Sequence, residues 1–331
     1  MVNVAFELGN QTKEKLEYSK NIDSIKYDSL LVMGMGGSGV AGDVLSLLSN
    51  EVSIKNIIVR KSYSVPKKLI EQKPFCLFIS YSGNTEETIS GLEDAIKNNL
   101  DWAVISSGGK LTEFALEHGK EYVKIPEGLQ PRAAFGYLTQ AVCKIVDIVE
   151  GTGFLRELRE AGDYLNETLE KGEDSEIFIE AKNIANQVNK KTCVIYGGTE
   201  MSELAASRWK TQINENAKSK AFVGSMPEVH HNEILSWEAD LNGSKSNFVL
   251  IFLRDDTENP QVSKRFNLTK KLLQEKVHIF NINPKSKGST LTKLMELVLL
   301  GDLFSLFLAD ELKMIPEDIE GIETLKKLLE D

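Results

Sequence analysis

The sequence predicts an α/β protein of two subdomains, each a parallel sheet flanked by helices. Three observations predict it. Short apolar runs alternate with stretches of helical spacing, the pattern of βαβ units. The alternation breaks at Glu150-Gly-Thr-Gly153 and resumes at Thr192. The two halves also echo each other: LLVMGMGGSG (30–39) corresponds to CVIYGGTEMS (193–202), and LFISYSGNTEET (77–88) to VLIFLRDDTENP (249–260). In each half a strand runs into a turn and then a helix, twice, so a duplicated subdomain is expected, divided as 1–152 and 153–331.

The elements follow in order. Leu30 to Met33 reads as a buried strand, followed by a glycine turn and a helix from about Ser38 to Leu48. Ile57 to Val59 and Phe75 to Ile79 are further strands; after the second comes a polar loop and a helix from about Thr85 to Lys97. Trp102 to Ile105 and Tyr122 to Ile125 complete the first sheet, and a helix from about Ala133 to Val149 closes it. Two charged helical stretches, about 155–170 and 175–189, connect to the second cycle. There Cys193 to Tyr196 is a strand and Gly197-Gly198 a turn. Thr199 caps a helix running to about Lys218. Phe248 to Leu253 and Val277 to Ile282 are strands, with Pro260 in the first turn of the helix between them. Helices at about 287–310 and 317–330 end the chain.

Composition bounds the function. The chain has 331 residues, 41% apolar and 27% charged, which is ordinary for a globular protein and excludes a disordered or fibrous one. The formal net charge of −10 argues against nucleic acid as a partner. It leaves room for an anionic small substrate, because helix termini bind phosphate through backbone dipoles. No run approaches the length of a membrane span. The opening MVNVAFELGNQTKEK lacks a basic start followed by an apolar core. Cys76, Cys143 and Cys193 are scattered in apolar runs and read as reduced, buried residues of a cytoplasmic protein. The histidines, His118, His230, His231 and His278, form no HxH or HExxH, and there is no CxxC, so no metal site is expected.

Two motifs carry chemistry. Gly34-Met-Gly-Gly-Ser-Gly39 matches GxGxxG and suits a turn that brings backbone close to a phosphate. A dinucleotide fingerprint also wants an acidic residue about 20 positions on. That region is Val59-Arg60-Lys61 here, so an NADP reading rests on Arg60 alone, and a turn needing glycine only for packing is the plainer alternative. Ser80-Tyr-Ser-Gly-Asn-Thr85-Glu-Glu-Thr88 follows a buried strand and opens a helix. It offers the hydroxyls of Ser80, Ser82 and Thr85 beside free N–H groups at a positive helix end. One helix cap needs one hydroxyl; three suit the three oxygens of a phosphate monoester.

The strand–SYSGNTEET–helix pattern resembles the sugar isomerase (SIS) domain. GMGGSGVAGD (34–43), Pro131-Arg132-Ala133, NENAK (214–218) and PEVHHNE (227–233) extend that likeness over nearly the whole chain. Together they resemble the bifunctional phosphoglucose/phosphomannose isomerase family. The resemblance implies two SIS-type subdomains, no metal or organic cofactor, and a homodimer in which the histidine comes from the neighbouring subunit. It implies interconversion of glucose 6-phosphate and mannose 6-phosphate with fructose 6-phosphate. It puts sugar-phosphate ligands at Gly37, Ser38, Ser80, Ser82, Thr85 and Arg132. The base falls at Glu215, the ring-opening histidine at His231 and a C-terminal lysine at Lys326, beside Lys327. Where the family has a threonine some seven residues before that lysine, Ile319 stands here.

The chemistry agrees with that placement. Moving a proton between C2 and C1 of an aldose or ketose needs one carboxylate, and Glu215 is expected in a polar turn after a helix. Ring opening needs an acid near the ring oxygen, where histidine titrates usefully. Arg132 or Lys326 can meet the developing enediolate charge. Arg132 at a helix start works against the dipole, which an anion-binding role explains. His230 reads as a packing or supporting residue, and His118 and His278 as structural. A second class, a sugar-phosphate-binding SIS module without turnover, needs neither Glu215 nor His231. An NADP oxidoreductase has no use for the serine loop.

Overall fold

Leu30, Leu31 and Val32 are fully shielded from solvent, as are Leu77, Phe78 and Ile79, and the sheets grow from these runs. The computed structural model describes residues 1–52, 54–239 and 241–330. Its strands are β1 (Glu17–Tyr18), β2 (Ser29–Gly34), β3 (Asn56–Arg60), β4 (Phe75–Ile79), β5 (Trp102–Ser106) and β6 (Glu121–Lys124), then β7 (Thr192–Gly197), β8 (Ala221–Ser225), β9 (Phe248–Leu253) and β10 (His278–Ile282).

The chain divides into two compact units, Glu7–Asn166 and Met1–Phe6 with Glu167–Asp331. The division differs from the expected one at 152/153. The helix Phe154–Thr168 stays mainly with the first unit because that unit holds it. Asp147 accepts the Phe154 and Leu155 N–H groups at 2.9 Å each, and Lys13 pairs with Asp163 at 2.6 Å.

The first unit carries a six-stranded sheet in the order β1-β6-β5-β4-β2-β3. Five strands are parallel, as expected. The two-residue β1, unanticipated, pairs antiparallel with β6 at the edge. Leu31, Met33, Cys76, Phe78, Trp102 and Val104 point to one face and pack beneath Leu92, Ala95, Leu111 and Ala115 of the helices Glu86–Lys97 and Gly109–Glu117.

The second unit carries a four-stranded parallel sheet in the order β10-β9-β7-β8. This repeats the order β5-β4-β2-β3 of the first sheet, which is the topological signature of the expected duplication. β8, the counterpart of β3, escapes a reading of the sequence: it lies at the sheet edge with Phe222 and Val223 exposed, and a glycine interrupts it. The long helix Thr290–Glu311 is buried along most of its length and packs against the helices Glu200–Asn216 and Glu176–Val188.

Candidate active site

In the first unit, six expected ligand residues gather where the adjacent parallel strands β2 and β4 end. β2 turns into the helix Gly36–Ser49. Gly37 lies against Arg132; a Cβ there would meet the Arg132 Cα and the Pro131 carbonyl at 3.1 Å, tighter than an ordinary contact, so a larger residue would push the two segments apart by a few tenths of an ångström. Arg132 lies in the 3₁₀ turn Pro131–Ala134 and is buried. Ser38, also buried, accepts the Tyr81 N–H through Oγ at 3.0 Å, tying the glycine turn to the serine loop.

The serine loop is built from within. The hydroxyls of Ser80 and Thr85 share a hydrogen bond of 2.8 Å. Gly83 donates its N–H to Ser80 Oγ at 3.1 Å, and Asn84 donates to the exposed Ser82 Oγ at 3.2 Å. Thr85 is the N-cap residue of the helix Glu86–Lys97, yet its side chain makes no capping bond. The first N–H groups of that helix have no intrahelical acceptor. They therefore remain available, with the positive helix end, to an external anion. Gly83 has φ +70° and approaches the Gly108 carbonyl so closely that no side chain fits.

Sequence reasoning did not single out the supports of this loop. Tyr81 is buried and its backbone oxygen accepts the Ser107 N–H at 2.9 Å and the Ser107 hydroxyl at 2.7 Å. Its own hydroxyl donates to the Pro126 carbonyl at 3.0 Å and accepts the Leu129 N–H at 2.8 Å. Burial raises its pKa, so it stays protonated. The large residue between two serines in SYSG was the available signal.

The corresponding strand end of the second unit is self-satisfied. At the end of β9, Arg254 makes a two-pronged ion pair with Glu258, at 2.7 and 2.6 Å. The Asp255 carboxylate accepts the Thr257 hydroxyl at 2.7 Å, the Thr199 hydroxyl at 3.2 Å and the Thr257 N–H at 3.2 Å. A carboxylate of the chain itself takes the donors there.

Glu215 sits in the second unit, half-buried. It lies in the last turn of the helix Glu200–Asn216, inside the helical stretch expected to about Lys218 and not in a polar turn after it. That helix is fixed along one stripe. Arg208 donates to Asp302 at 2.6 Å, Gln212 donates to the same carboxylate at 2.6 Å, and Asn216 donates to Ser305 at 2.9 Å. Lys218 of NENAK closes the helix: its ammonium donates to the carbonyls of Glu215 at 2.7 Å and Ile315 at 2.8 Å.

His231 ends the 3₁₀ turn Glu228–His231 and is exposed. Lys326 and Lys327 are both exposed on the helix Glu320–Glu330. Ile319 precedes that helix and accepts the Glu323 N–H at 3.0 Å through its carbonyl. The three thiols are free and buried, and burial pushes those of Cys76 and Cys193 up to about 12, so neither serves as a nucleophile at neutral pH. Arg60, on which the dinucleotide alternative rested, ends β3 and bonds Ser62 at 3.4 Å.

Paired sheets of like order, with a hydroxyl loop at the end of a central strand, define the sugar isomerase (SIS) class. A family model described as "Bacterial phospho-glucose isomerase C-terminal SIS domain" matches residues 179–329. A bifunctional phosphoglucose/phosphomannose isomerase of Aquifex aeolicus is 35% identical, covering 93% of this chain and 92% of that protein. One from Caldicellulosiruptor bescii is 31% identical, covering 99% of this chain and 98% of that one. Among solved structures, tagatose-6-phosphate ketose/aldose isomerase of Escherichia coli shares the fold at 13% identity, with a TM-score of 0.68 over 87% of this chain and 84% of that one. The chain belongs to the bifunctional phosphoglucose/phosphomannose isomerase family.

Proposed function

We propose that the protein is an aldose–ketose isomerase that interconverts glucose 6-phosphate and mannose 6-phosphate with fructose 6-phosphate. The observation that carries the reading is the hydroxyl loop: Ser80 and Thr85 pair with each other at 2.8 Å and leave the helix end uncapped for a phosphate. Ser38, Ser80, Ser82 and Thr85, with the backbone of Gly37 and the Arg132 guanidinium, hold the phosphate end of the sugar.

The chemistry follows from the named groups. His231 protonates the ring oxygen as the ring opens. The Glu215 carboxylate removes the proton from C2 of the open aldose and returns it to C1 of the cis-enediol, giving the ketose. A cation, Lys326 or Arg132, meets the enediolate charge. Mannose and glucose phosphates differ only at C2, so rotation of the enediol about C2–C3 lets one base serve both epimers. No step calls for a metal or organic cofactor.

The working unit is a homodimer with His231 supplied by the neighbouring subunit. The exposed apolar side chains of Ile322, Leu325, Leu328 and Leu329 on the last helix support association. The buried, unpaired thiols support a reducing, cytoplasmic setting.

The test is incubation with fructose 6-phosphate in the presence of EDTA, with separate assays for glucose 6-phosphate and mannose 6-phosphate. Both products are expected. Glucose 6-phosphate alone would confine the activity to one epimer and direct attention to Ile319. Neither product, with fructose 6-phosphate still raising the melting temperature, would overturn the enzyme reading in favour of a binding module.

A further inference from the structure

His230 and His231 are neighbours in sequence with opposite surroundings. His231 is exposed, whereas His230 is half-buried against the helix Pro260–Leu273. Both ring nitrogens of His230 are engaged by that helix. Arg265 Nη1 lies 3.0 Å from Nδ1, and Thr269 Oγ1 lies 2.6 Å from Nε2.

The donors and acceptors permit one arrangement. A guanidinium donates and does not accept, so Nδ1 must be the acceptor and carries no proton. The Thr269 hydroxyl donates its proton to the Arg265 carbonyl at 2.8 Å, so it must accept from His230. Nε2 therefore carries the proton, and the imidazole is neutral. The result is a closed ring of hydrogen bonds: Arg265 guanidinium to His230, His230 to the Thr269 hydroxyl, and that hydroxyl back to the Arg265 backbone. Thr269 is buried, so water does not compete well for its hydroxyl.

The ring sits between two other anchors of the same segment. Val229 is buried among Tyr196, Phe252 and Phe266. Glu233 hydrogen-bonds the Tyr196 hydroxyl, which also accepts the Trp237 indole N–H at 2.9 Å. Val229, His230 and Glu233 are thus each tied down, and His231, between them, is presented outward.

We propose that His230 is a positioning residue for His231, acting through the Arg265–His230–Thr269 ring. The two histidines divide the work: one is locked as a neutral strut, and the other is left free to exchange a proton with substrate. The inference rests on the reading of His231 as the ring-opening acid.

Thr269→Val removes the hydroxyl while keeping the shape, and Thr269→Ser keeps the hydroxyl while losing the methyl. In the full-length enzyme acting on glucose 6-phosphate, Thr269→Val should lower kcat roughly ten- to hundredfold. KM should stay within about twofold, because uniform binding is untouched. Thr269→Ser should retain nearly full kcat, an ordering that a packing role would reverse. In a His231→Ala background, Thr269→Val should cause no further loss, since both changes remove the same contribution. Should Thr269→Val not fold, His230→Phe, which keeps the ring's bulk and loses both bonds, replaces it in the cycle. Unchanged kcat in Thr269→Val, beside an impaired His231→Ala, would overturn the proposal. So would losses that multiply in the double variant. Full activity in His231→Ala would instead remove His231 from the mechanism, a separate failure.

Discussion

The hydroxyls of Ser80 and Thr85 face each other across the loop after β4, 2.8 Å apart. Thr85 occupies the N-cap of a helix it does not cap. A helix start whose cap residue is turned aside keeps its N–H groups for something else, and a phosphate fits their number and charge.

Replacing Ser82 and Thr85 together by alanine should raise KM for fructose 6-phosphate roughly a hundredfold or more, with a smaller change in kcat. Hydrogen bonds to a charged phosphate contribute about 1.5–3 kcal/mol each, in substrate and transition state alike. Steady-state kinetics decides this; an unaltered KM places the phosphate elsewhere.

Glu215→Gln should cut kcat by about 10²–10⁴ while leaving sugar-phosphate affinity within a few fold, because glutamine keeps the shape and loses the base. Exchange of the C2 hydrogen of glucose 6-phosphate with D2O reads the step directly. Persistent exchange at the normal rate removes Glu215 from that role.

The buried stripe beneath Glu215 predicts a stability effect. Arg208 is 2% exposed and its side chain pairs with Asp302 at 2.6 Å. Asp302→Ala removes the carboxylate that pairs with this buried charge and the acceptor of Gln212. The expected loss is about 3–5 kcal/mol in urea unfolding. A loss well under 1 kcal/mol would show that the helix Glu200–Asn216 does not depend on this pair.

Acid should weaken the fold partly through His230. Its pKa is held below the ordinary value, first by burial, then by the Arg265 guanidinium and the adjacent His231. As pH falls, the unfolded chain takes up this proton first, at about 6.5. The stabilising contribution is therefore complete above about pH 6.5 and is lost as pH drops through the folded-state value. Melting curves should show a decline below about pH 6.5 that is shallower in His230→Asn. Identical slopes in both proteins would refute this.

Chelation should leave turnover unchanged, since the carboxylate, imidazole and ammonium of the proposed mechanism complete the proton transfers themselves. Loss of activity in EDTA, restored by a divalent cation, would contradict that mechanism.

Sequence alone determined the two-subdomain α/β class and the serine loop. Both are local signals: a strand of contiguous apolar residues, or a hydroxyl-rich turn opening a helix, is written in consecutive positions. The echo between 30–39 and 193–202 likewise announced the duplication that the shared strand order displays. Tertiary structure decided what depends on partners distant in the chain. β8 exists because β7 pairs with it, despite exposed Phe222 and Val223. The helix Phe154–Thr168 stays mainly with the first unit because Asp147 holds its start. The second copy's strand end is closed because Thr199, 56 residues away, donates to Asp255. The different surroundings of His230 and His231 were invisible in the dipeptide, because Arg265 and Thr269, a turn apart on another helix, impose them. Hydrogen-bond partners and burial are properties of the folded chain, and no spacing rule within a segment encodes them.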